Sequence, residues 1–140
     1  MKIILDYNRT LFNPEADRLY EGVRGVLKGL SRENELLLIS MNEPGRNERL
    51  KELGIKNYFQ KIVFVENKTK EIFESLSQGL KDVVVVGDRV RSEISLGRQL
   101  GFTTIWVRQG KFSGELPEES SEPDFIINDI RELQDIISQL

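Results

Sequence analysis

Four chemically able side chains stand just past short apolar runs. Asp6 follows Ile3-Ile4-Leu5, Ser40 follows Leu36-Leu37-Leu38-Ile39, and Asp88 follows Val83-Val84-Val85-Val86 and Gly87. The run Ile62-Val63-Phe64-Val65 leads through Glu66 and Asn67 to Lys68. Two carboxylates with a backbone carbonyl can hold magnesium. A serine hydroxyl and a lysine ammonium can bind phosphate oxygens. A carboxylate can also attack phosphorus and form an aspartyl-phosphate. The chain has no cysteine, which excludes disulfides, thiolate catalysis and cysteine zinc sites. It has no histidine, which excludes a Ser-His-Asp triad and an imidazole base. Any metal must be held by oxygen, which favours a hard ion such as magnesium.

The elements that must position these groups are readable from the apolar pattern. The four runs, with Thr104-Ile105-Trp106-Val107 and a shorter Phe125-Ile126-Ile127, do not alternate polar and apolar residues. They suit strands buried on both faces of a parallel sheet. Between them, Leu19, Val23, Val26, Leu27 and Leu30 share one helical face. So do Ile72, Phe73, Leu76 and Leu80, and Ile130, Leu133, Ile136, Ile137 and Leu140. Asp129 with Glu132 resembles a capping box opening the last helix. Gly54 and Gly101 stand where helices should stop, and residues 110–123 read as a surface loop. This βαβα alternation predicts a three-layer α/β/α, Rossmann-like fold with a mainly parallel central sheet. Ligands of open parallel sheets bind beyond the carboxyl ends of the strands, where the four groups converge.

At 140 residues the chain has room for one domain over 1–140. With 39% hydrophobic residues it can bury an ordinary core. The net charge of −3 argues against a general nucleic-acid coating role. No apolar run reaches the roughly 20 residues of a membrane helix. Met1-Lys2 leads into a short apolar run and then Asp6, unlike a signal peptide; the expected compartment is the cytoplasm.

Leu5-Asp6-Tyr7-Asn8-Arg9-Thr10-Leu11-Phe12 resembles the first motif of the haloacid dehalogenase-like (HAD) phosphohydrolases, hhDxDxTLh, where h is apolar. Leu37-Leu38-Ile39-Ser40 is similar to their second motif, Lys68 in KTKEIF to the third, and VVVVGDRVRSEI, Val83 to Ile94, to the fourth. The resemblance covers roughly the whole chain. It implies a HAD-like fold and a role for each matching residue. Asp6 would be nucleophile and magnesium ligand. The Asn8 carbonyl and Asp88 would complete the protein ligands, with Glu93 an acidic partner acting around them or through water. Thr10 would orient the nucleophile. Ser40 and Lys68 would hold the phosphoryl group, with Lys70 a competing candidate. The implied substrate is a phosphorylated molecule, small or macromolecular.

The chain departs from that pattern at Asn8, where active phosphatases of the family usually carry a second aspartate. That group protonates the leaving oxygen and then activates water; an amide does neither, and losing such a group costs about 10²–10⁴ in rate. A weakened phosphatase for good leaving groups, a longer-lived aspartyl-phosphate, and a magnesium- or phosphate-binding regulatory module all remain open. Glu15 and Asp17 are candidate replacements for the missing acid. The gaps from Phe12 to Leu36 and from Met41 to Gln60 each fit a loop and a helix. No cap domain is expected, which leaves the site open to large substrates or to closure by a second copy in a homo-oligomer. Arg46, Arg49, Arg89, Arg91, Arg108 and Lys111 are candidates to line its mouth, Arg89 and Arg91 foremost because they follow Asp88.

Overall fold

The computed structural model describes residues 1–140 throughout. In chain order, β1 (Lys2–Asp6) leads into a small hairpin, β2 (Phe12–Asn13) with β3 (Arg18–Leu19). There follow α1 (Val23–Ser31), β4 (Glu35–Met41), α2 (Arg46–Glu52), β5 (Lys61–Val65), α3 (Lys70–Ser77) and β6 (Val83–Gly87). The chain ends with α4 (Ser95–Gln99), β7 (Thr103–Val107), β8 (Phe125–Ile127) and α5 (Leu133–Ser138). Six strands form one sheet in the order β5-β4-β1-β6-β7-β8, and every neighbouring pair is parallel. The expected three-layer fold is what forms.

Strand alternation divides the core between the layers. Ile3 and Leu5 of β1, with Leu36 and Leu38 of β4, meet Val26, Leu27 and Leu30 of α1, Leu50 of α2, and Leu133 and Ile137 of α5. Ile4, Leu37, Ile39, Val83 and Val85 point the other way, to Phe73 and Leu76 of α3 and to Leu100 and Phe102 around the end of α4. The chain runs from β1 outward to β4 and β5, then crosses back to place β6 on the other side of β1. The strand order therefore reverses at β1, and a crevice opens above its carboxyl end. Asp6 is the last residue of that strand.

Several local expectations need correction. Leu19 does not extend the first helix; it pairs with Phe12 in the hairpin, because a left-handed Gly22 at φ 86° starts the helix only at Val23. Leu80 is half exposed beyond α3, since Gln78 and Gly79 both turn to positive φ. The capping box of Asp129 and Glu132 forms, but it opens a 3₁₀ turn, Ile130–Glu132, that leads into α5. Gly54 and Gly101 end their helices at φ 73° and 77°. The loop over 110–123 carries two 3₁₀ turns. No helix is long and apolar enough to cross a membrane.

Leu38 lies at the centre of this packing, fully buried on the α1 face of β4. Leu38→Ala leaves a cavity there, and urea denaturation should register a loss of about 2–5 kcal/mol. A loss below about 0.5 kcal/mol, the range of surface substitutions, would contradict the packing described.

Candidate active site

Immediately after β1 the backbone coils back on itself. The Tyr7 carbonyl accepts the N–H groups of Thr10, Leu11 and Phe12 at 3.3, 2.9 and 3.0 Å. Arg9 takes a left-handed φ of 61° and donates its N–H to the Phe12 carbonyl at 2.7 Å. This coil carries Asn8 past the strand end and returns the fully buried Thr10 beneath it, so that the Thr10 hydroxyl donates to Asp6 Oδ2 at 3.2 Å. The other Asp6 oxygen accepts a hydrogen bond from Lys68 Nζ. Lys68 also reaches Glu93 Oε2 at 3.2 Å. It sits two residues before α3, where Thr69 caps the helix by accepting the Ile72 N–H at 3.3 Å.

The acidic side of the site is built at the end of β6. Asp88 follows Gly87, and Trp106 Nε1 donates to the Asp88 carbonyl at 2.9 Å, fixing the strand end. Glu93 lies on a one-turn π-helix, Val90–Ile94, broken by the non-helical Ser92. Its Oε1 accepts the N–H groups of Asp88 and Arg89, both at 3.2 Å. A methyl group at position 87 would overlap the Glu93 side chain; glycine is required there for close approach rather than for a turn. Asp6, Asp88 and Glu93 are all buried, and each offers an oxygen within 4.8 Å of the others.

Electrostatics follow from that crowding. Burial alone would lower the Lys68 pKa, but the Asp6 and Glu93 charges outweigh it and hold the ammonium above its ordinary value. Burial first, and then Asp6, push the Asp88 carboxyl up to about 10. Burial and the Asp6 charge likewise raise Glu93, against the pull of Lys68. Three carboxylates share one ammonium, so the pocket lacks positive charge. Its donors are buried oxygens, which fit a hard divalent cation such as magnesium. Asp6 accepts from Thr10 and Lys68, and Glu93 spends one oxygen on backbone amides and the other on Lys68.

Ser40 is the penultimate residue of β4, and β1–β4 register sets Ile39 beside Asp6. Its hydroxyl accepts from Arg46 Nη1 and donates to the Met41 carbonyl at 3.1 Å. Lys70 is exposed at the first turn of α3 and makes no contact with the cluster. The candidate replacement acids are both occupied at the surface. Glu15 pairs with Arg9 at 3.0 Å, and its own backbone N–H and that guanidinium hold its carboxyl below the ordinary range. Asp17 pairs with Arg49 at 3.2 Å.

The cations expected at the mouth separate into groups. Arg46 reaches Ser40, while Arg89 and Lys111 flank the Phe112 ring at 4.0 and 5.4 Å. Arg49 is tied to Asp17 and Glu52, Arg108 to Asn128 at 3.1 Å. Arg91 is exposed beside Ser95 and Glu118. Sequence reading missed Gln109, whose Nε2 donates to the Arg9 and Thr10 carbonyls at 2.9 and 3.3 Å and ties the β7 loop to the coil after β1. No local pattern signals a contact across a hundred residues of chain. It missed Trp106 as a donor to Asp88, although the position of Trp106 near the end of a strand beside β6 was readable.

The HAD-hydrolase-like family model matches residues 67–133. Glyceraldehyde 3-phosphate phosphatase of Methanopyrus kandleri is 32% identical over 103 residues, spanning 66% of this chain and 44% of that protein. The chain spans between 44% and 60% of the length of the curated relatives it matches. Among solved structures, the HAD phosphatase from Thermococcus onnurineus aligns with a TM-score of 0.70 at 19% identity, over 85% of this chain and 58% of that one. The HAD-hydrolase YfnB from Bacillus subtilis, bound to magnesium, aligns at 0.72 and 20% identity, over 85% and 56%.

A carboxyl raised from 3.8 to about 10 on folding keeps a proton that the unfolded chain releases. Between those values the unfolded state binds fewer protons, so stability falls as pH rises; Lys68 stays protonated across this window. In chelator, the urea midpoint should therefore fall from about pH 6 to about pH 9. Asp88→Asn should flatten that fall and raise the midpoint at the alkaline end. A midpoint that rises with pH, or an Asp88→Asn protein less stable at about pH 9, would contradict the crowding of the three carboxylates.

Proposed function

We propose that the chain is a hydrolase of the haloacid dehalogenase-like superfamily, as its family-model match and curated relatives support, and a magnesium-dependent phosphohydrolase working through an aspartyl-phosphate on Asp6. The observation that carries this reading is the setting of Asp6 itself. Lys68 holds one of its oxygens, Thr10 holds the other, and two buried acids face it at the point where the strand order reverses. Such a carboxylate is oriented and supported at both oxygens while its strand end faces the crevice.

In the proposed reaction an Asp6 oxygen attacks phosphorus as the bond from phosphorus to the leaving oxygen breaks. The leaving oxygen takes its proton from solvent. Water then attacks the aspartyl-phosphate, releases its proton to solvent, and yields inorganic phosphate and the free carboxylate. Lys68 and Ser40 bind phosphoryl oxygens and offset charge that develops on them. Asp6, Asp88 and the Asn8 carbonyl would hold magnesium, which supplies charge neutralisation for the phosphoryl group when bound. Glu93 keeps Lys68 and the Asp88 backbone in place through its three hydrogen bonds.

Asn8 sets the range of substrates. Its amide transfers no proton near neutral pH, and Glu15 and Asp17 are held by Arg9 and Arg49. The reaction therefore suits phosphates whose leaving groups need little protonation, such as acyl or aryl phosphates. The curated relatives are named for glyceraldehyde 3-phosphate, which supports a small phosphorylated substrate class here. The short connections from β1 to β4 and from β4 to β5 support a site without a cap domain. Asn8 also favours a second reading: a module that binds magnesium and phosphate without turnover.

Asn8→Asp restores a carboxyl group of nearly the same shape. With magnesium, it should raise alkyl-phosphate hydrolysis on the order of tenfold or more, and aryl-phosphate hydrolysis less. Asp6→Asn should abolish both. Phosphate release assays decide: a folded Asn8→Asp protein that binds magnesium yet gains no rate supports the binding module instead.

A further inference from the structure

Arg46 makes no ion pair. The nine ion pairs of the molecule involve Lys2, Arg9, Arg49, Lys68, Arg89 and Arg131, never Arg46. Yet this guanidinium is half-buried, 4.4 Å above the ring of Tyr7. Its Nη1 donates to the Ser40 hydroxyl. Tyr7 and Ser40 each stand one residue past a register pair, Asp6 beside Ile39, so Arg46 spans the tops of β1 and β4 next to the nucleophile. An arginine has five donors. Here one is committed to Ser40, with a longer approach to the Met41 carbonyl at 3.5 Å, and the remainder of the fork has no protein acceptor.

The charge around Asp6 gives that fork a purpose. Asp6, Asp88 and Glu93 balance Lys68 together with one divalent cation. An incoming phosphoryl dianion then brings two charges that nothing in this set offsets. Arg49, on the same helix, cannot help, being bound to Asp17 and Glu52. We infer that Arg46 is a further ligand for the phosphoryl oxygens of the substrate, pre-aimed by the Tyr7 ring and the Ser40 hydroxyl. The ring steadies the cation at 4.4 Å without neutralising it, and a planar fork matches two oxygens of a phosphoryl group. This inference rests on the phosphohydrolase reading of the same site.

The test reads binding, not turnover. Inorganic phosphate is titrated calorimetrically into the magnesium-loaded protein. Arg46→Met should weaken phosphate about tenfold or more, Arg46→Lys should recover part of the loss, and magnesium affinity should hold within about twofold. On the wild-type protein, phosphate should slow phenylglyoxal modification of Arg46 but not of Arg49, as read by mass spectrometry; this arm needs no variant to fold. Equal phosphate affinity in folded wild type and Arg46→Met overturns the inference and leaves the phosphohydrolase reading standing, as does unprotected Arg46. Loss of magnesium affinity in Arg46→Met also overturns it, because the residue would then act on the carboxylates. A wild-type protein that takes up magnesium and no phosphate overturns both.

Discussion

Burying carboxylates costs several kcal/mol per ion unless opposite charge shares the pocket, and here three of them lie within 4.8 Å of one another. Lys68 is the one cation built into that pocket, bonded to Asp6 on one side and Glu93 on the other. Much of the local structure serves this arrangement. Thr69 starts α3 so that Lys68 leaves the β5 loop just before the helix. Gly87 leaves room for Glu93, and the π-helical turn brings Glu93 back under the backbone amides of Asp88 and Arg89. The remaining deficit of positive charge is what the proposed divalent cation would offset.

The strands were legible because burial on both faces of a parallel sheet leaves continuous apolar runs. The placement of the candidate residues was legible for a related reason: polar residues directly past such runs must lie along one edge. Asp6, Ser40, Lys68 and Asp88 meet that description, and the fold brings them to the carboxyl ends of neighbouring strands. What periodicity could not supply was the point at which a helix begins or ends. Leu19 and Leu80 continue a helical face in sequence, but the positive φ of Gly22 and of Gln78 decides otherwise. Contacts set by tertiary packing were also silent. Gln109 on the Arg9 carbonyl and Arg46 over Tyr7 depend on loops that only the assembled sheet brings together. The surface cations show the same limit: sequence grouped six of them at the mouth, while local acids and an amide draw Arg49 and Arg108 away.

Asn8 stands between the end of β1 and the left-handed Arg9. Its carbonyl is a backbone group, so in the proposed mechanism the amide would cost nothing in metal coordination while offering no proton carrier. Structure and reactivity are therefore separable at this position. The fold, the acidic cluster and Lys68 form without a carboxyl there, and the proposed chemistry of poor leaving groups would need one.

Everything in the proposed chemistry turns on Asp6 as a nucleophile toward phosphorus supported by Lys68 and the acidic pair. The most direct measurement is a crystal structure with magnesium and beryllofluoride, which mimics a phosphoryl group on a carboxylate. The expected result is a fluoride adduct on Asp6, with magnesium beside Asp6 and Asp88 and Lys68 turned to the fluorines. An unmodified Asp6 still bonded to Lys68, with both reagents present at saturating concentration, would contradict it.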